Sequence, residues 1–272
     1  MRQNLHTHST YCDGKNEPRE MIENAIEKRF DILGFSGHGY VPFDTASMSI
    51  ENTSEYIKEI RRLKEEFREQ ITIYLGIEED MENRIMTKEP FDFVIGSCHF
   101  LTKDGQVLPI DYSRGVFEYM LDSMFSNDYL SLAETYYRKI MRMADWQEVD
   151  IIGHLDLITK FNEDESFIRF DDPAYVRHAC DAVDAFAGKK ILEVNTGAIA
   201  RQYRRTPYPA INLLRYMHEK GVSICLNSDC HNAEYLDCGF RDALEMIRAC
   251  GYRSMMKLTP EGFIETDIDE FE

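Results

Sequence analysis

Seven short apolar runs alternate with longer amphipathic stretches, and this alternation restricts the fold more than any other feature of the chain. The runs are rich in Ile, Val, Leu and Phe, which is typical of strands buried on both faces, and most of the intervening stretches have helical periodicity. The predicted strands are residues 4–8, 31–36, 71–77, 91–96, 150–153, 190–194 and 222–226. The predicted helices are residues 18–29, 54–69, 130–148, 173–187, 209–220 and 234–250. This alternation predicts parallel strands, in either an open doubly wound sheet or a barrel.

One connection is irregular, because residues 79–89 offer too few positions for a full crossover helix between the third and fourth strands. A barrel built from this chain would therefore be distorted. A chain of 272 residues permits a single α/β barrel domain, since such barrels usually need about 250 residues. We find no repeat, low-complexity tract or Pro/Gly/Ser-rich linker that would divide the sequence into domains.

The charge balance argues against nucleic-acid and membrane partners. Lys and Arg total 31 against 49 Asp and Glu, a formal net charge of −18 that repels phosphate backbones and anionic lipid surfaces. An anionic small molecule can still bind if metal ions reverse the potential within one pocket. We expect no secretory signal and no membrane span, since no sufficiently long apolar run is present. Seven cysteines without a C-x-x-C pair fit reduced thiols in the cytoplasm.

Histidines and carboxylates follow the predicted strands. Six of the eight histidines lie at or just past the carboxyl end of a strand, and the other two, His178 and His218, lie in helical patterns. The strand-end residues are His6, His8, Asp13, His38, Glu78, His99, His154, Asp229 and His231. Each alone has an ordinary explanation, such as a turn or a packed imidazole. Because the carboxyl ends of parallel barrel strands meet at one face, we expect all nine to converge there.

Imidazole and carboxylate ligands without thiolate suit Zn²⁺, Fe²⁺ or Mn²⁺. Nine such groups exceed the needs of one tetrahedral zinc ion, so two or three divalent ions sharing Glu78 as a bridge would account for them better. Strand alternation allows Glu78 and Asp80 to share a face that excludes Glu79. Asp156, two residues after His154, either orients a ligand histidine or caps the segment that follows.

Seven motifs resemble those of the PHP (polymerase and histidinol phosphatase) superfamily. In chain order they are H-T-H-S-T-Y-C-D-G, G-F-S-G-H, L-G-I-E-E-D, F-D-F-V-I-G-S-C-H-F-L, I-I-G-H-L-D-L-I-T-K-F, L-E-V-N-T-G with a later Y-P, and N-S-D-C-H. They extend from residue 6 to residue 231, and the forms I-G-S-x-H-F-L and G-H-L-D-L-I look most like the stand-alone histidinol-phosphate phosphatases. Some relatives have histidine where Asp13 stands, which leaves the metal preference of that position open.

The resemblance implies an α/β fold with a distorted (β/α)7 barrel of PHP type, a single domain over residues 1–272 and a metal site at the C-terminal ends of the strands. It also implies three metal sites. The first would contain His6, His8, Glu78 and Asp229, the second Glu78, His99 and His154, and the third Asp13, His38 and His231. Glu78, Asp229 and His231 would act most directly in catalysis.

The implied reaction is hydrolysis of a phosphate monoester, with L-histidinol phosphate in histidine biosynthesis as the leading substrate. Among the basic residues near strand ends, Arg201 and Lys160 are the candidates for phosphate binding, because guanidinium and ammonium groups suit phosphate oxygens. A solvated basic loop is the alternative for both. Rival interpretations are a PHP phosphatase acting on phosphotyrosine or nucleotides, and a non-catalytic metal-binding PHP module. A monomer and a homo-oligomer fit the sequence equally.

Overall fold

The structure is a computed structural model that describes residues 1–84 and 87–271. Its strands are β1 (Gln3–Asn4), β2 (Ile32–Phe35), β3 (Thr72–Asp80), β4 (Phe93–Ser97), β5 (Phe100–Lys103), β6 (Gln106–Pro109), β7 (Ile151–Ile152), β8 (Ile191–Asn195), β9 (Ile224–Asn227), β10 (Ser254–Thr259) and β11 (Gly262–Asp267). Its α-helices are α1 (Pro18–Glu27), α2 (Ile50–Glu66), α3 (Arg114–Phe125), α4 (Tyr129–Ile140), α5 (Pro173–Phe186), α6 (Gly197–Ala200), α7 (Ile211–Glu219) and α8 (Phe240–Ala249).

Seven parallel strands form one sheet in the order β1-β2-β3-β4-β7-β8-β9. The two edges of this sheet meet just beyond β1 and β9. There the backbone N–H of His8 donates to the carbonyl of Cys230 at 2.9 Å, and the N–H of Cys230 donates to the carbonyl of His6 at 3.1 Å. The predicted distorted seven-stranded barrel is therefore confirmed, as a sheet that nearly closes on itself.

Each predicted strand and helix has a counterpart, but several have different ends. The strand predicted over residues 4–8 forms a ladder only at Gln3–Asn4, the helix predicted to end at residue 148 ends at Ile140, and the helix predicted from residue 234 begins at Phe240. Helix α2 begins four residues before the predicted start because the Ser49 hydroxyl accepts the N–H of Asn52 and caps it. Helix α4 ends at Ile140 and continues only as a 3-10 turn, Met141–Asp145. Helix α5 begins with Pro173 in its first turn, capped by Asp172.

Four features were not predicted: the β5–β6 hairpin, helix α3, the short helix α6 and the C-terminal β10–β11 hairpin. The two hairpins are antiparallel additions to the barrel, and their short strands follow no strand–helix alternation. The described residues between β3 and β4, namely 81–84 and 87–92, contain no helix, as the length of that connection predicted.

The barrel interior is filled below the carboxyl ends of the strands. A compact apolar cluster contains one or two residues from each of the seven barrel strands, or from just beyond a strand end, and one residue from β10. Its members are Leu5, Ile32, Tyr74, Phe93, Ile95, Ile151, Ile191, Cys225 and Leu258. Side chains from all seven strands can touch one another only inside the barrel. The larger core lies between the barrel and its helices. This packing leaves the carboxyl-end face as the floor of a site. Among the described residues, no helix has both the length and the apolar character required to cross a membrane.

Candidate metal centre

Glu78, near the end of β3, lies at the centre of the histidine cluster. Its Oε2 is 3.2 Å from His6 Nε2, 3.5 Å from His8 Nε2 and 3.0 Å from His38 Nδ1. Its Oε1 is 3.4 Å from His99 Nε2 and 3.2 Å from His154 Nε2. One carboxylate thus faces five imidazoles from four different strand ends, which is the position that a group shared between metal ions must occupy.

Two further carboxylates complete the cluster. Asp229 Oδ1 lies 3.1 Å from His8 Nε2 and 3.6 Å from His6 Nε2. Asp13 Oδ2 lies 3.2 Å from His231 Nε2, and its Oδ1 is 3.7 Å from both His8 Nδ1 and His38 Nε2. All nine residues predicted from the strand ends are therefore brought together, while His178 and His218 lie in α5 and α7 as predicted.

Three sets of ligand atoms, each within 4.8 Å of one another, could hold ions. They are His6, His8 and Asp229; His38, Glu78 and His99; and His8, Asp13, His38 and His231. These sets follow the three sites implied by the family resemblance, with four differences. Glu78 is absent from the set of His6, His8 and Asp229, and His154 is absent from the set of Glu78 and His99. His8 also lies with the Asp13 group, and His38 also lies with the Glu78 group. The two imidazoles lie at the borders between neighbouring sets.

The potential metal-ligand atoms of this cluster would be satisfied better by bound cations than by hydrogen bonds. Within residues 1–84 and 87–271, His6 Nε2, His8 Nε2 and Glu78 Oε2 are buried and have no hydrogen-bond partner, although they crowd around one another. Buried polar atoms of this kind are normally satisfied. A divalent ion would satisfy all three at once, so the residues present fit a metal centre.

The pKa values of the buried histidines and of Glu78 also indicate that positive charge is stabilised within the cluster. Burial disfavours protonation of His6 and His38, but neighbouring carboxylates, led by Glu193 for His6 and Glu78 for His38, outweigh it and hold both pKa values well above the usual range. Burial likewise opposes the charge on Glu78, yet the surrounding imidazoles keep its pKa well below the usual range. His8 differs, because burial and the neighbouring His231 and His38 lower its pKa to about 3.

Glu193 in β8 forms hydrogen bonds with two histidines of the cluster, and the sequence analysis did not predict it. Its Oε1 is 2.7 Å from His6 Nδ1 and accepts Asn227 Nδ2 at 2.9 Å, while its Oε2 accepts the N–H of His154 at 2.9 Å and Asn195 Nδ2 at 2.8 Å. A carboxylate that accepts from Nδ1 leaves Nε2 of the ring free to bind a metal. The available signal was a charged residue inside an otherwise apolar strand, in the motif L-E-V-N.

Three other residues were missed or only partly assigned. Asp80 Oδ2 lies 3.1 Å from His99 Nδ1 and accepts the backbone N–H of His99, so Glu78 and Asp80 share a face as alternation predicted. Burial raises the pKa of Glu79, between them, to about 8. Ser97 donates to Glu78 Oε1 at 2.5 Å, and Cys12 Sγ lies 3.5 Å from His8 Nδ1.

Asp156 has neither of its two predicted roles. Its side chain forms no cap on the turn that follows it and contacts no ligand histidine through a hydrogen bond. Instead, Oδ2 accepts the backbone N–H of Ala210 at 2.9 Å, immediately before α7. The reason is topological: β7 ends beside the N-terminus of α7, which the sequence spacing does not reveal.

The backbone around Asp229 is also specialised. Asp229 has a φ of +48°, in the left-handed region that is uncommon for a non-glycine residue and often found at functional sites. Gly197 lies against it, since a Cβ added there would come within 2.9 Å of both the Asp229 side chain and the Ser228 carbonyl. The glycine of L-E-V-N-T-G therefore permits α6 to approach the Asp229 carboxylate closely.

A model of the PHP domain family matches residues 4–197. The chain belongs to the PHP family. A Deinococcus radiodurans protein named "Probable histidinol-phosphatase" is 31% identical over 262 residues, covering 92% of this chain and 94% of the relative. The histidinol-phosphatase of Bacillus subtilis is 26% identical over 263 residues, covering 88% and 97%.

Among solved structures, the histidinol phosphate phosphatase of Lactococcus lactis, in complex with Zn, L-histidinol and phosphate, superposes with a TM-score of 0.74 at 22% identity. The alignment covers 97% of this chain and 98% of that one. At this identity the likeness establishes the PHP-type barrel fold.

The cluster of nine candidate ligands borders a cavity of about 760 Å³ at the carboxyl-end face. His38, His99, His154, Asp13, Asp229 and His231 form one part of its lining, with Lys160 and Arg201 beside them. The most exposed lining residues are Phe43, Tyr112 and Tyr203, and the lining also includes Phe100, Pro109, Asp44 and Asp111. The cavity therefore combines candidate ligand groups, three basic residues (Lys15, Lys160 and Arg201), two further carboxylates and four aromatic side chains.

Both basic residues proposed for phosphate binding reach this cavity, but each also holds a carboxylate. Arg201 Nη2 donates to Asp229 Oδ2 at 2.8 Å, and Nη1 lies 3.0 Å from His231 Nδ1. Lys160 Nζ donates to the carbonyl of Asp111 at 2.7 Å and to its Oδ2 at 3.1 Å. Burial opposes ionisation of Asp111, but Lys160 and His99 together lower its pKa to about 2.

Proposed function

We propose that this PHP protein is a metal-dependent phosphomonoesterase that converts L-histidinol phosphate and water to L-histidinol and phosphate. The observation that carries the proposal is the cavity itself, which places Lys160 and Arg201 beside the nine-residue cluster and has further carboxylates and aromatic rings in its lining. The relatives named as histidinol-phosphatases align with this chain over nearly their whole length, which supports the same activity.

The cluster would hold two or three divalent ions of Zn, Fe or Mn, with Glu78 shared between them. Such ions supply Lewis-acid charge beside phosphoryl oxygens and make water more acidic. The ligands are His6, His8, Asp13, His38, Glu78, His99, His154, Asp229 and His231.

The chain's own residues prepare the site for a dianionic group. Arg201 keeps Asp229 ionised, since the guanidinium and His6 hold the pKa of this buried carboxyl well below its usual range. The remaining N–H groups of Arg201 can donate to phosphate oxygens in the same cavity. Lys160 adds a second positive charge, held in place by Asp111. His231 lies at the exposed border of the cluster, beside the cavity in which the phosphate would bind.

The alcohol half of the substrate would be recognised at the mouth. Histidinol has an ammonium group and an imidazole, which suit carboxylates and aromatic faces respectively. Asp44 supplies a carboxylate, and the rings of Phe43 and Phe100 pack edge to face at 5.1 Å. A nucleotide would instead bring additional negative charge to a protein of net charge −18.

We place the activity in the cytoplasm, with residues 1–272 acting as one PHP domain. All seven cysteines are free thiols, which suits a reducing compartment. The substrate is a small molecule, and neither nucleic acid nor a membrane is needed as a partner.

A side-by-side assay of L-histidinol phosphate, phosphotyrosine and AMP tests the proposal. We expect kcat/KM for L-histidinol phosphate to exceed the other two by at least ~10³, or about 4 kcal/mol of differential transition-state binding. Phosphotyrosine is the sharper competitor, because the aromatic mouth could also accept a phenyl ring. Values within tenfold of one another would contradict histidinol phosphate as the preferred substrate. Absence of phosphate release from every monoester would favour a non-catalytic PHP module.

A further inference from the structure

Three basic residues line the cavity beside the metal centre, and two of their charges are already compensated. Arg201 Nη2 lies 2.8 Å from Asp229 Oδ2, and Lys160 Nζ lies 3.1 Å from Asp111 Oδ2. Each of these close ion pairs adds no net charge to the cavity. An incoming phosphate must therefore share the first cation with Asp229 and the second with Asp111.

Lys15, the third basic residue of the lining, is not compensated in this way. Within residues 1–84 and 87–271, its ammonium forms no hydrogen bond and no ion pair, and the side chain is exposed. The carboxylate nearest to it in sequence, Asp13, is directed instead at His231, whose Nε2 is 3.2 Å from Oδ2. An unpaired ammonium retains its full charge for a molecule that enters the cavity.

The backbone of Lys15 is fixed against the cluster of candidate ligands. Its N–H donates to the carbonyl of His231 at 2.8 Å. The loop that precedes it is closed by two hydrogen bonds to the carbonyl of Ser9, from the N–H groups of Cys12 and Gly14, both at 3.0 Å. A fixed backbone with a flexible four-carbon side chain keeps the ammonium near His231 and leaves it free to turn towards a ligand.

A phosphate group entering from solvent is the ligand that suits this cation. A lysine ammonium is a compact charge that can approach phosphate oxygens from many directions, whereas Arg201 and Lys160 are held by their carboxylates. The net charge of −18 repels anions from the protein as a whole. An exposed and unpaired cation in the cavity lining opposes that repulsion at the place where a phosphate must enter.

We propose that Lys15 binds the phosphate of the incoming monoester and holds it at the open side of the metal centre, next to His231. The inference rests on the proposed phosphatase function, since it names a further substrate-binding residue of the same site. Lys15 contributes binding energy to the substrate and to the transition state alike, and it transfers no proton. Its removal therefore affects KM and leaves kcat nearly unchanged.

Steady-state kinetics of K15A with L-histidinol phosphate, and competitive inhibition by inorganic phosphate, test this assignment. We expect K15A to raise KM and the inhibition constant of phosphate together, by about 3- to 10-fold, with kcat within about twofold of wild type. K15R keeps the charge and should restore both constants to within about threefold of wild type. High salt should reduce the difference between K15A and wild type, because exposed charges are screened.

Lys257→Ala is the matched control. Among the described residues Lys257 also forms no ion pair, but it lies in β10, outside the cavity lining. K257A should leave KM, kcat and the inhibition constant unchanged. The metal affinity of K15A, measured with a chelating dye, should equal that of wild type, which distinguishes a lost phosphate contact from a disturbed loop around Asp13 and His231.

Kinetics of K15A that match those of K257A would overturn the proposal, and so would a raised KM accompanied by weaker metal binding. The proposed function can fail separately, if the wild-type protein hydrolyses no monoester. Calorimetric titration of the metal-loaded wild type and K15A with inorganic phosphate then decides whether Lys15 binds phosphate. Equal phosphate affinities in that titration would also overturn the proposal.

Discussion

Glu193→Gln should weaken both the fold and the metal centre, although the substitution changes one oxygen to an NH₂ group. The buried carboxylate receives two donors on each oxygen: His6 Nδ1 and Asn227 on one, and the N–H of His154 and Asn195 on the other. A glutamine can accept on one side only. Its NH₂ group must face two donors on the other side, whichever way the amide is turned.

The two asparagines cannot relieve this conflict by rotating their own amides. The Oδ1 of Asn227 accepts the N–H of Leu5 at 2.8 Å, and that of Asn195 accepts the N–H of Gly197 at 2.9 Å. While His6 keeps the tautomer with the proton on Nδ1, which metal binding at Nε2 requires, two buried donors stay unsatisfied at about 1–3 kcal/mol each, or about 2–6 kcal/mol of unfolding free energy. For a chain of this size that corresponds to a Tm lowered by roughly 5–20 °C.

The metal centre should weaken by a separate amount. Loss of a carboxylate behind a ligand imidazole typically reduces metal affinity about 10- to 100-fold. Calorimetric Tm values and competition with a chelating dye measure the two effects independently. Glu245→Gln, on the exposed side of α8, is the matched control and should change neither. An E193Q protein with wild-type Tm and metal affinity would refute the assigned role of the β8 carboxylate.

Three further predictions concern the cluster and its cavity. Glu78→Gln should lower kcat by several orders of magnitude with little loss of Tm, because it removes the charge that holds two cations together. His178→Ala in α5 should leave turnover nearly unchanged, and similar kinetics for the two variants would contradict the assignment of Glu78 as a shared metal ligand. Arg201→Ala should lower kcat/KM about 10- to 100-fold for every monoester, because one charge-assisted hydrogen bond to the phosphate is lost. Arg205→Ala, outside the cavity, is the control and should leave kcat/KM unchanged. Metal affinity should rise with pH through at least about 9. Carboxylates, led by Glu78, overcome burial to raise the pKa of His99 to about 9, and neighbouring carboxylates also hold the pKa values of His6 and His38 well above the usual range, so these protons must leave before metal binds; an affinity independent of pH between 6 and 9 would contradict this.

The convergence of the nine ligand candidates was predictable because it depends on topology alone. Parallel strands bring their carboxyl ends to one face, so a histidine such as His99 or His154 needs only to follow a strand to reach the cluster. The side-chain period of two also placed Glu78 and Asp80 together.

The outer parts of the site were not predictable in the same way. Asp111 follows the β5–β6 hairpin, and Asp44 lies in the loop before α2, so neither belongs to the strand–helix alternation. Asp156 illustrates the same limit, since its partner Ala210 is 54 residues away. Periodicity locates the ends of strands, but it does not specify which loops lie beside them.

The distribution of exposure within the cluster argues for catalysis over a purely structural metal site. A structural site surrounds its ion with about four ligands, whereas a catalytic site leaves one side open. The side chains of His6 and His8 are 0% exposed, while those of His38, His99 and His231 are 13–18% exposed and line the cavity. The cluster is thus closed towards the barrel interior and open towards Lys160 and Arg201. An ion bound on the open side would meet a substrate phosphate directly, which a site built only to stabilise the fold has no need to allow.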